Sequence, residues 1–315
     1  MKPIFERSQH NPILTVANMP FPAEAVLNPG AAEQDGEVVL LLRIEDTSGY
    51  SSIYPARSKD GVTNWEVSSK PILRHGEPRW PYEKWGCEDP RVTYLAEEKC
   101  WYITYTAYSP LGAAVGLART KDLVRAERIG LILSPNNKDA ALFPSRFNSR
   151  WALLHRPSVG GGVENIWIAY SPDLTHWGNP HCVLPEGHGP AWDALKVGAG
   201  PPPLLTPQGW LLLYHGVKAY AGQLAYRVGA ALLDKHRPHR LIARSPDCIF
   251  KALALYEQTG LISNVVFPTG LLLRGDELWM YYGAADTRVC LATAKLQDVL
   301  DTMETSRKPL HNVPR

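Results

Sequence analysis

Apolar residues along this chain fall into short runs, often opened by tryptophan and separated by turns rich in glycine, proline, asparagine and aspartate. Five such runs are Val38–Arg43, Trp101–Tyr105, Trp151–His155, Trp210–His215 and Leu278–Tyr282. Their aromatic and aliphatic content and their shortness predict β-strands. Each is followed by a further candidate strand: Ile53–Asp60, Val115–Asp122, Ile166–Asp173, Val228–Asp234 and Val289–Lys295. The first three of these end in a Ser/Thr-x-Asp turn. Each aromatic run is also preceded by a candidate: Asn28–Ala32, Asp89–Leu95, Asp139–Pro144, Gly198–Leu205 and Asn264–Gly270.

Five divergent units with a period of about sixty residues predict a repeat architecture. The expected fold is all-β, a five-bladed β-propeller forming a single catalytic domain over residues 1–315. In a propeller the innermost strands surround a channel, so equivalent positions of successive units converge in space. Two sets of positions are chemically loaded. The starts of the inner strands carry Asn28, Asp89, Asp139, Lys196 and Asn264; the ends of the aromatic strands carry Arg43 to Asp46, Thr106 to Tyr108, Arg156, His215 and Asp286. Turn chemistry alone would account for any single Asn or Asp among them. Their recurrence in one register, mixed with cations, points to a site at one mouth of the channel.

Composition agrees with many tight turns, since 27 prolines and 25 glycines are heavy usage for 315 residues. The net charge of +2 arises from 33 basic and 31 acidic residues without blocks of one sign, so neither nucleic acid nor a membrane surface is an expected partner. No apolar run is long enough to cross a bilayer and the first residues lack a signal-peptide core, which makes the expected location cytoplasmic. The five cysteines lack paired close spacing and read as reduced thiols. No nucleotide-binding or zinc-protease motif occurs, so neither cofactor nor metal is expected. His176 with His181, and His236 with His239, read as surface histidines, and Gly160–Gly162 as a flexible loop.

The segment Trp85-Gly-Cys-Glu-Asp-Pro-Arg91 holds two adjacent carboxylates. Pro90 favours an extended Asp89, and strand alternation would turn Glu88 and Asp89 to opposite sides. One of them would face the channel with the raised pKa of a general acid; the alternative is an ion pair with Arg91. Arg43-Ile-Glu-Asp46 is a second acidic cluster. Arg156, Lys196 and His215 come from consecutive units, and three such donors suit an anion such as phosphate.

These segments, together with Asn28-Pro-Gly-Ala31, Lys138-Asp-Ala-Ala-Leu-Phe-Pro144, Leu154-His-Arg-Pro157, Lys196-Val-Gly-Ala-Gly-Pro-Pro-Pro203, Tyr214-His-Gly-Val217, Asn264-Val-Val-Phe-Pro268 and Tyr281-Tyr-Gly-Ala-Ala-Asp-Thr287, stand in an order that resembles glycoside hydrolase family 130. That family comprises mannoside phosphorylases and related β-mannosidases, and the resemblance covers nearly the whole chain. It implies a metal-free, inverting five-bladed propeller that uses inorganic phosphate as co-substrate and releases α-mannose 1-phosphate. It implies Asp89 as proton donor, acting through the 3-hydroxyl of the mannosyl unit. Arg156, Lys196, His215 and Tyr226 match its phosphate ligands, and Asn28, Arg43, Asp46 and Asp286 its mannosyl ligands. Asp139, at an equivalent inner-strand start, is a further expected substrate ligand. The chain departs from the family at Tyr50–Pro55, which bears on the acceptor sugar.

The function expected is therefore phosphorolysis of a terminal β-mannoside, with the oligosaccharide and phosphate as partners and room for a homo-oligomer. An inverting β-mannosidase would instead pair Asp89 with a base drawn from Asp139, Asp46 or Glu45. A non-catalytic propeller scaffold is the third reading.

Overall fold

Each apolar run becomes the centre of a strand, and the flanking candidates become strands paired on either side of it. The computed structural model describes residues 3–159, 164–220 and 223–305, so the expected loop Gly160–Gly162 lies outside the described residues. A short strand, β1 (Glu6–Arg7), precedes the first unit of β2 (Ala25–Gln34), β3 (Glu37–Glu45), β4 (Ser51–Ser58) and β5 (Glu66–Val67). The second unit holds β6 (Gly86–Leu95), β7 (Cys100–Ser109), β8 (Gly112–Thr120) and β9 (Glu127–Leu133). The third holds β10 (Asn137–Leu142), β11 (Trp151–Pro157), β12 (Ile166–Ser171) and β13 (Gly178–Leu184). The fourth is built from β14 (Lys196–Ala199), β15 (Leu204–Thr206), β16 (Gly209–Tyr220), β17 (Gln223–Leu233), β18 (Leu241–Arg244) and β19 (Phe250–Lys251). The fifth has β20 (Val266–Arg274), β21 (Glu277–Ala284) and β22 (Arg288–Lys295); a last strand, β23 (Glu304–Thr305), pairs with β18.

Within each unit the successive strands pair antiparallel, and one parallel bridge from Ser51 to Gly86 joins the first two units. The expected inner strand Gly198–Leu205 is divided into β14 and β15. Pro201, Pro202 and Pro203 lie between them and have no N–H to give to a ladder.

The central strands β3, β7, β11, β16 and β21 are apolar on both faces because they are covered on both faces, yet their period of two is kept. Val39 and Leu41 pack with Val92, Ile103 and Tyr105 of the second unit, whereas Val38, Leu40 and Leu42 pack with Tyr281, Val289 and Leu291 of the fifth. Trp151 and Leu153 face Tyr102 and Leu117 of the second unit, while Ala152 and Leu154 face Trp210, Leu212 and Tyr214 of the fourth. Leu211 and Leu213 in turn face Leu278, Met280 and Tyr282. Each unit thus shares one core with the unit before it and another with the unit after it. The first and last units are included.

The Ser/Thr-x-Asp turns are local structures at the outer ends of the third strands. Asp60, Asp122 and Asp173 each accept from the preceding hydroxyl and from backbone N–H groups two and three residues on.

β1 pairs with β22, so the outer strand of the fifth unit comes from the other end of the chain. A buried carboxylate fixes that contact: Glu257 accepts from Arg7 Nε and Nη2, both at 2.8 Å, from the Leu253 and Ala254 N–H groups, and from the Tyr282 hydroxyl at 2.7 Å. Arg7→Ala would leave Glu257 buried without its counter-ion. It is expected to cost about 3 kcal/mol of stability, read as a lower urea midpoint, and an unchanged midpoint would contradict this role.

Candidate active site

Three inner strands carry the same irregularity near their start. Register jumps between Leu27 and Gly30 in β2, between Glu88 and Arg91 in β6, and between Lys138 and Ala141 in β10. The first residues skipped are Asn28, Asp89 and Asp139, all left-handed with φ of 45°, 48° and 53°. Asn and Asp adopt that conformation more readily than other residues with a Cβ, and a bulge re-aims the side chain it carries. Turn chemistry and site chemistry are here one device. Asp89 is accordingly not extended, despite Pro90.

Because the bulge breaks the alternation, Glu88 and Asp89 both meet Arg43 rather than facing opposite ways. Arg43 Nη1 donates to Asp89 Oδ1 at 3.0 Å, Nη2 lies 3.2 Å from Glu88 Oε1 and 3.8 Å from Glu45 Oε2, and Nε donates to Ser51 Oγ at 2.9 Å. Asn28 Nδ2 donates to the same Asp89 oxygen at 2.8 Å. Burial alone would raise the Asp89 carboxyl, but Arg43, Arg91 and the Asn28 bond more than offset it and hold it below the ordinary range. The raised value expected of one of the pair falls on Glu88, and Asp286 shares it. Asp286 is pushed up to about 6 by burial, and Asp89, Glu45 and Glu88 add to this against the pull of Arg43. Glu88 moves up chiefly through burial. Four carboxylates therefore share one guanidinium.

The second pole gathers around Asp139, which is 1% exposed. Its Oδ2 accepts from Arg156 Nε at 2.7 Å and lies 3.6 Å from His215 Nε2; its Oδ1 lies 3.3 Å from Arg91 Nη2. Arg91, equally buried, also donates to the carbonyls of Asp89 at 2.8 Å, Gly200 at 3.2 Å and Ala199 at 3.3 Å. It ties the second unit to the third and fourth, in place of the ion pair with its own neighbours that the sequence offered as an alternative. Arg156 makes a further ion pair with Glu164.

His215 clusters with the rings of Phe267 and Tyr226, their centroids 4.5 and 5.9 Å away from it and 6.2 Å from each other. Gly198 faces it across the ladder, and a methyl group there would collide with the imidazole and with the Asp139 carboxylate. Burial pushes His215 down to about 3; the cations Arg156, Arg91 and Lys196 act the same way, against Asp139. It is a neutral imidazole in this state. Lys196 Nζ stands 5.5 Å from the centre of the Tyr226 ring, and burial followed by Arg156 lowers its pKa. Tyr226 is raised by burial.

Asp46 stands apart from both poles. It caps its own turn by accepting from the Ser48 and Tyr50 N–H groups, and lines a pocket of about 400 Å³ with Tyr50, Ser52, Tyr54, Arg74 and His75. The Tyr50 and His75 rings lie 5.2 Å apart, and His75 is fixed by Ser52 Oγ at 2.9 Å.

A sequence model of one family, described as β-1,4-mannooligosaccharide phosphorylase, matches residues 1–305. The chain belongs to glycoside hydrolase family 130. Among its family relatives, a β-1,2-mannobiose phosphorylase of Listeria innocua is 38% identical over 259 residues, 82% of this chain and 70% of that one. A β-1,4-mannooligosaccharide phosphorylase of Ruminococcus albus is 29% identical over 316 residues, covering 96% and 92%. The solved structure of the Listeria innocua β-1,2-mannobiose phosphorylase with β-1,2-mannobiose superposes with a TM-score of 0.86 at 32% identity, over 96% of this chain and 99% of that one.

In this family 130 chain the expected residues divide into two groups. Asn28, Arg43, Asp89 and Asp286 belong to the acidic pole; Arg156, Lys196, His215 and Tyr226 belong to the cationic one. Asp139 is enclosed by its cations, which makes it a holder of Arg156 and His215 instead of a free substrate ligand. Sequence reasoning missed Arg91 as a link, Lys138 as a charge acting on Glu88, Asp89 and Asp139, and Glu164 as a partner of Arg156. Lys138 and Arg91 stand in segments already singled out, so adjacency was a usable signal; Glu164 carried none. His176 pairs with Asp173, and His239 stacks on His181 at 4.8 Å. Among the described residues no three His, Cys, Asp or Glu side chains stand together as a metal site.

The Asp286 carboxyl lies at about 6 folded against 3.8 as its ordinary value, so the folded state keeps a proton that the unfolded chain releases. That stabilisation is present at low pH and lost as pH rises through 6. Asp286→Asn should gain about 1–2 kcal/mol on the native protein between pH 5 and pH 8, measured by urea unfolding. A difference independent of pH would contradict it.

Proposed function

We propose that this chain is an inverting phosphorylase of β-linked mannosides. Phosphate held by Arg156, Lys196, His215 and Tyr226 attacks the anomeric carbon, and Asp89 supplies the proton to the departing oxygen. The observation that carries this reading is the separation of the two poles. Hydrolysis by inversion needs a carboxylate free to activate water. The carboxylate at the centre of the cationic pole, Asp139, is 1% exposed and occupied by Arg156 and Arg91. What that pole offers instead is an Arg fork, a Lys point charge and a neutral imidazole, which suit phosphate.

The step balances with phosphate alone. A phosphate oxygen bonds to the anomeric carbon as the glycosidic bond breaks on the opposite face, giving the α-phosphate ester. The leaving oxygen gains a proton, and the attacking hydrogen phosphate loses one. Asp89 starts ionised because Asn28 and Arg43 donate to it, and both are expected mannosyl contacts. When a sugar draws those donors away, Asp89 takes up the proton it must deliver.

The five units are read as the blades of a propeller. This is supported by the cores shared between successive units, by that shared between the last and the first, and by the N-terminal strand completing the fifth. Five unpaired cysteines, three of them buried, support a reducing, cytoplasmic location. The pocket beside Asp46, with the rings of Tyr50 and His75, is the proposed seat of the leaving sugar; Ser51, next to it, touches Arg43.

The purified protein should convert β-1,2- or β-1,4-mannobiose to α-mannose 1-phosphate only when phosphate is supplied, as followed by phosphorus and proton NMR. Lys196→Ala should raise KM for phosphate by about tenfold or more, with little change in KM for the mannoside. Release of free mannose at the same rate without phosphate would overturn the proposal.

A further inference from the structure

We propose that Glu164 is a built-in competitor for phosphate: its carboxylate pairs with Arg156, must leave when phosphate binds, and returns as the phosphate ester departs. This rests on the reading of Arg156 as a phosphate ligand and deepens it.

Arg156 divides its guanidinium between two carboxylates. Its Nε is held by Asp139, and its Nη1 is paired with Glu164. The two carboxylates are differently placed. Asp139 also engages Arg91 and stands beside His215, and its side chain is 1% exposed, so it is part of the scaffold. Glu164 is 16% exposed at its side chain, and Arg156 is its one charged partner among the described residues.

The backbone of Glu164 is anchored independently of its carboxylate. Its carbonyl accepts from the Val197 N–H at 2.9 Å, and it forms a parallel bridge with Lys196. A carboxylate is thereby held against the very strand that supplies the second cation. Withdrawing its charge leaves the backbone anchor in place.

Charge accounting gives the contact its consequence. With His215 neutral, Arg91, Arg156 and Lys196 face only Asp139 and Glu164, so Glu164 cancels one of the positive charges the pole would otherwise offer to an anion. A phosphate dianion reaches the Nη1 edge of Arg156 only if Glu164 gives it up, because two anions on one guanidinium repel at short range. The competition weakens phosphate and the phosphate ester alike, since both present the same charged group to Arg156. Product release is eased by the same exchange that hinders phosphate entry.

The test is Glu164→Gln in the full chain, with inorganic phosphate and mannose 1-phosphate as the probes. Calorimetric titration should show both binding about tenfold more tightly than to the wild type, with KM for phosphate lowered and KM for the mannoside within about twofold. Glu164→Ala, with its thermal midpoint measured alongside, serves if the glutamine variant folds poorly. Unchanged or weaker phosphate binding in a folded variant would overturn the proposal. A wild type that turns over without phosphate would instead overturn the phosphorolysis reading itself, so the two failures are distinguishable.

Discussion

One backbone irregularity governs where the chemistry can stand. In the strands of this molecule, ordinary positions send side chains into a core on either face of a unit, as Val38 to Leu42 do. A carboxylate placed there would be stripped of water with no partner, at a cost of several kcal/mol. The left-handed bulges at Asn28, Asp89 and Asp139 take one residue of each inner strand out of that alternation; they aim Asp89 and Asp139 at cations and Asn28 at the Asp89 carboxylate. The apolar framework and the polar centre are compatible because of those three residues.

The polar centre is then divided by its cations. Arg43 gathers Glu45, Glu88, Asp89 and Asp286 on one side, the side proposed to handle the proton. Arg156, Lys196 and His215 stand around Asp139 on the other, the side proposed to receive phosphate. Arg91 spans the two: it donates to the Asp89 carbonyl and to the Asp139 carboxylate, while its remaining bonds hold the Ala199 and Gly200 carbonyls of the fourth unit. The spacing of the two poles is thus held by one buried side chain.

The strands and their grouping into five units were legible, because tryptophan-led apolar runs recur with the same flanking turns and the cores require both faces of each central strand. The candidate site residues were legible as a set, since Asn, Asp, Arg and His recur at equivalent positions. Their geometry was not. Nothing in Glu88-Asp89-Pro90 announces a bulge, so strand alternation and the residue before proline both pointed to an extended Asp89. The lowered pKa of Asp89 follows from the same bulge, because the carboxylate it re-aims accepts from Arg43 and Asn28. Asp46 looked equivalent to its neighbours by position, yet its Oδ1 caps its own turn while its other oxygen faces His75 at the neighbouring pocket. Glu164 follows no motif, and only the packing of its backbone against Val197 brings it to Arg156.

The central claim is that the two poles do separate work, protonation by Asp89 and anion delivery by Arg156, Lys196 and His215. A mannoside with a dinitrophenolate leaving group needs no proton, so it isolates the second task. The decisive measurement is phosphate-dependent cleavage of that substrate by Asp89→Asn. The account predicts that this variant, inactive on mannobiose, retains most of the wild-type rate on the aryl mannoside with an unchanged KM for phosphate. An equal loss on both substrates would contradict it.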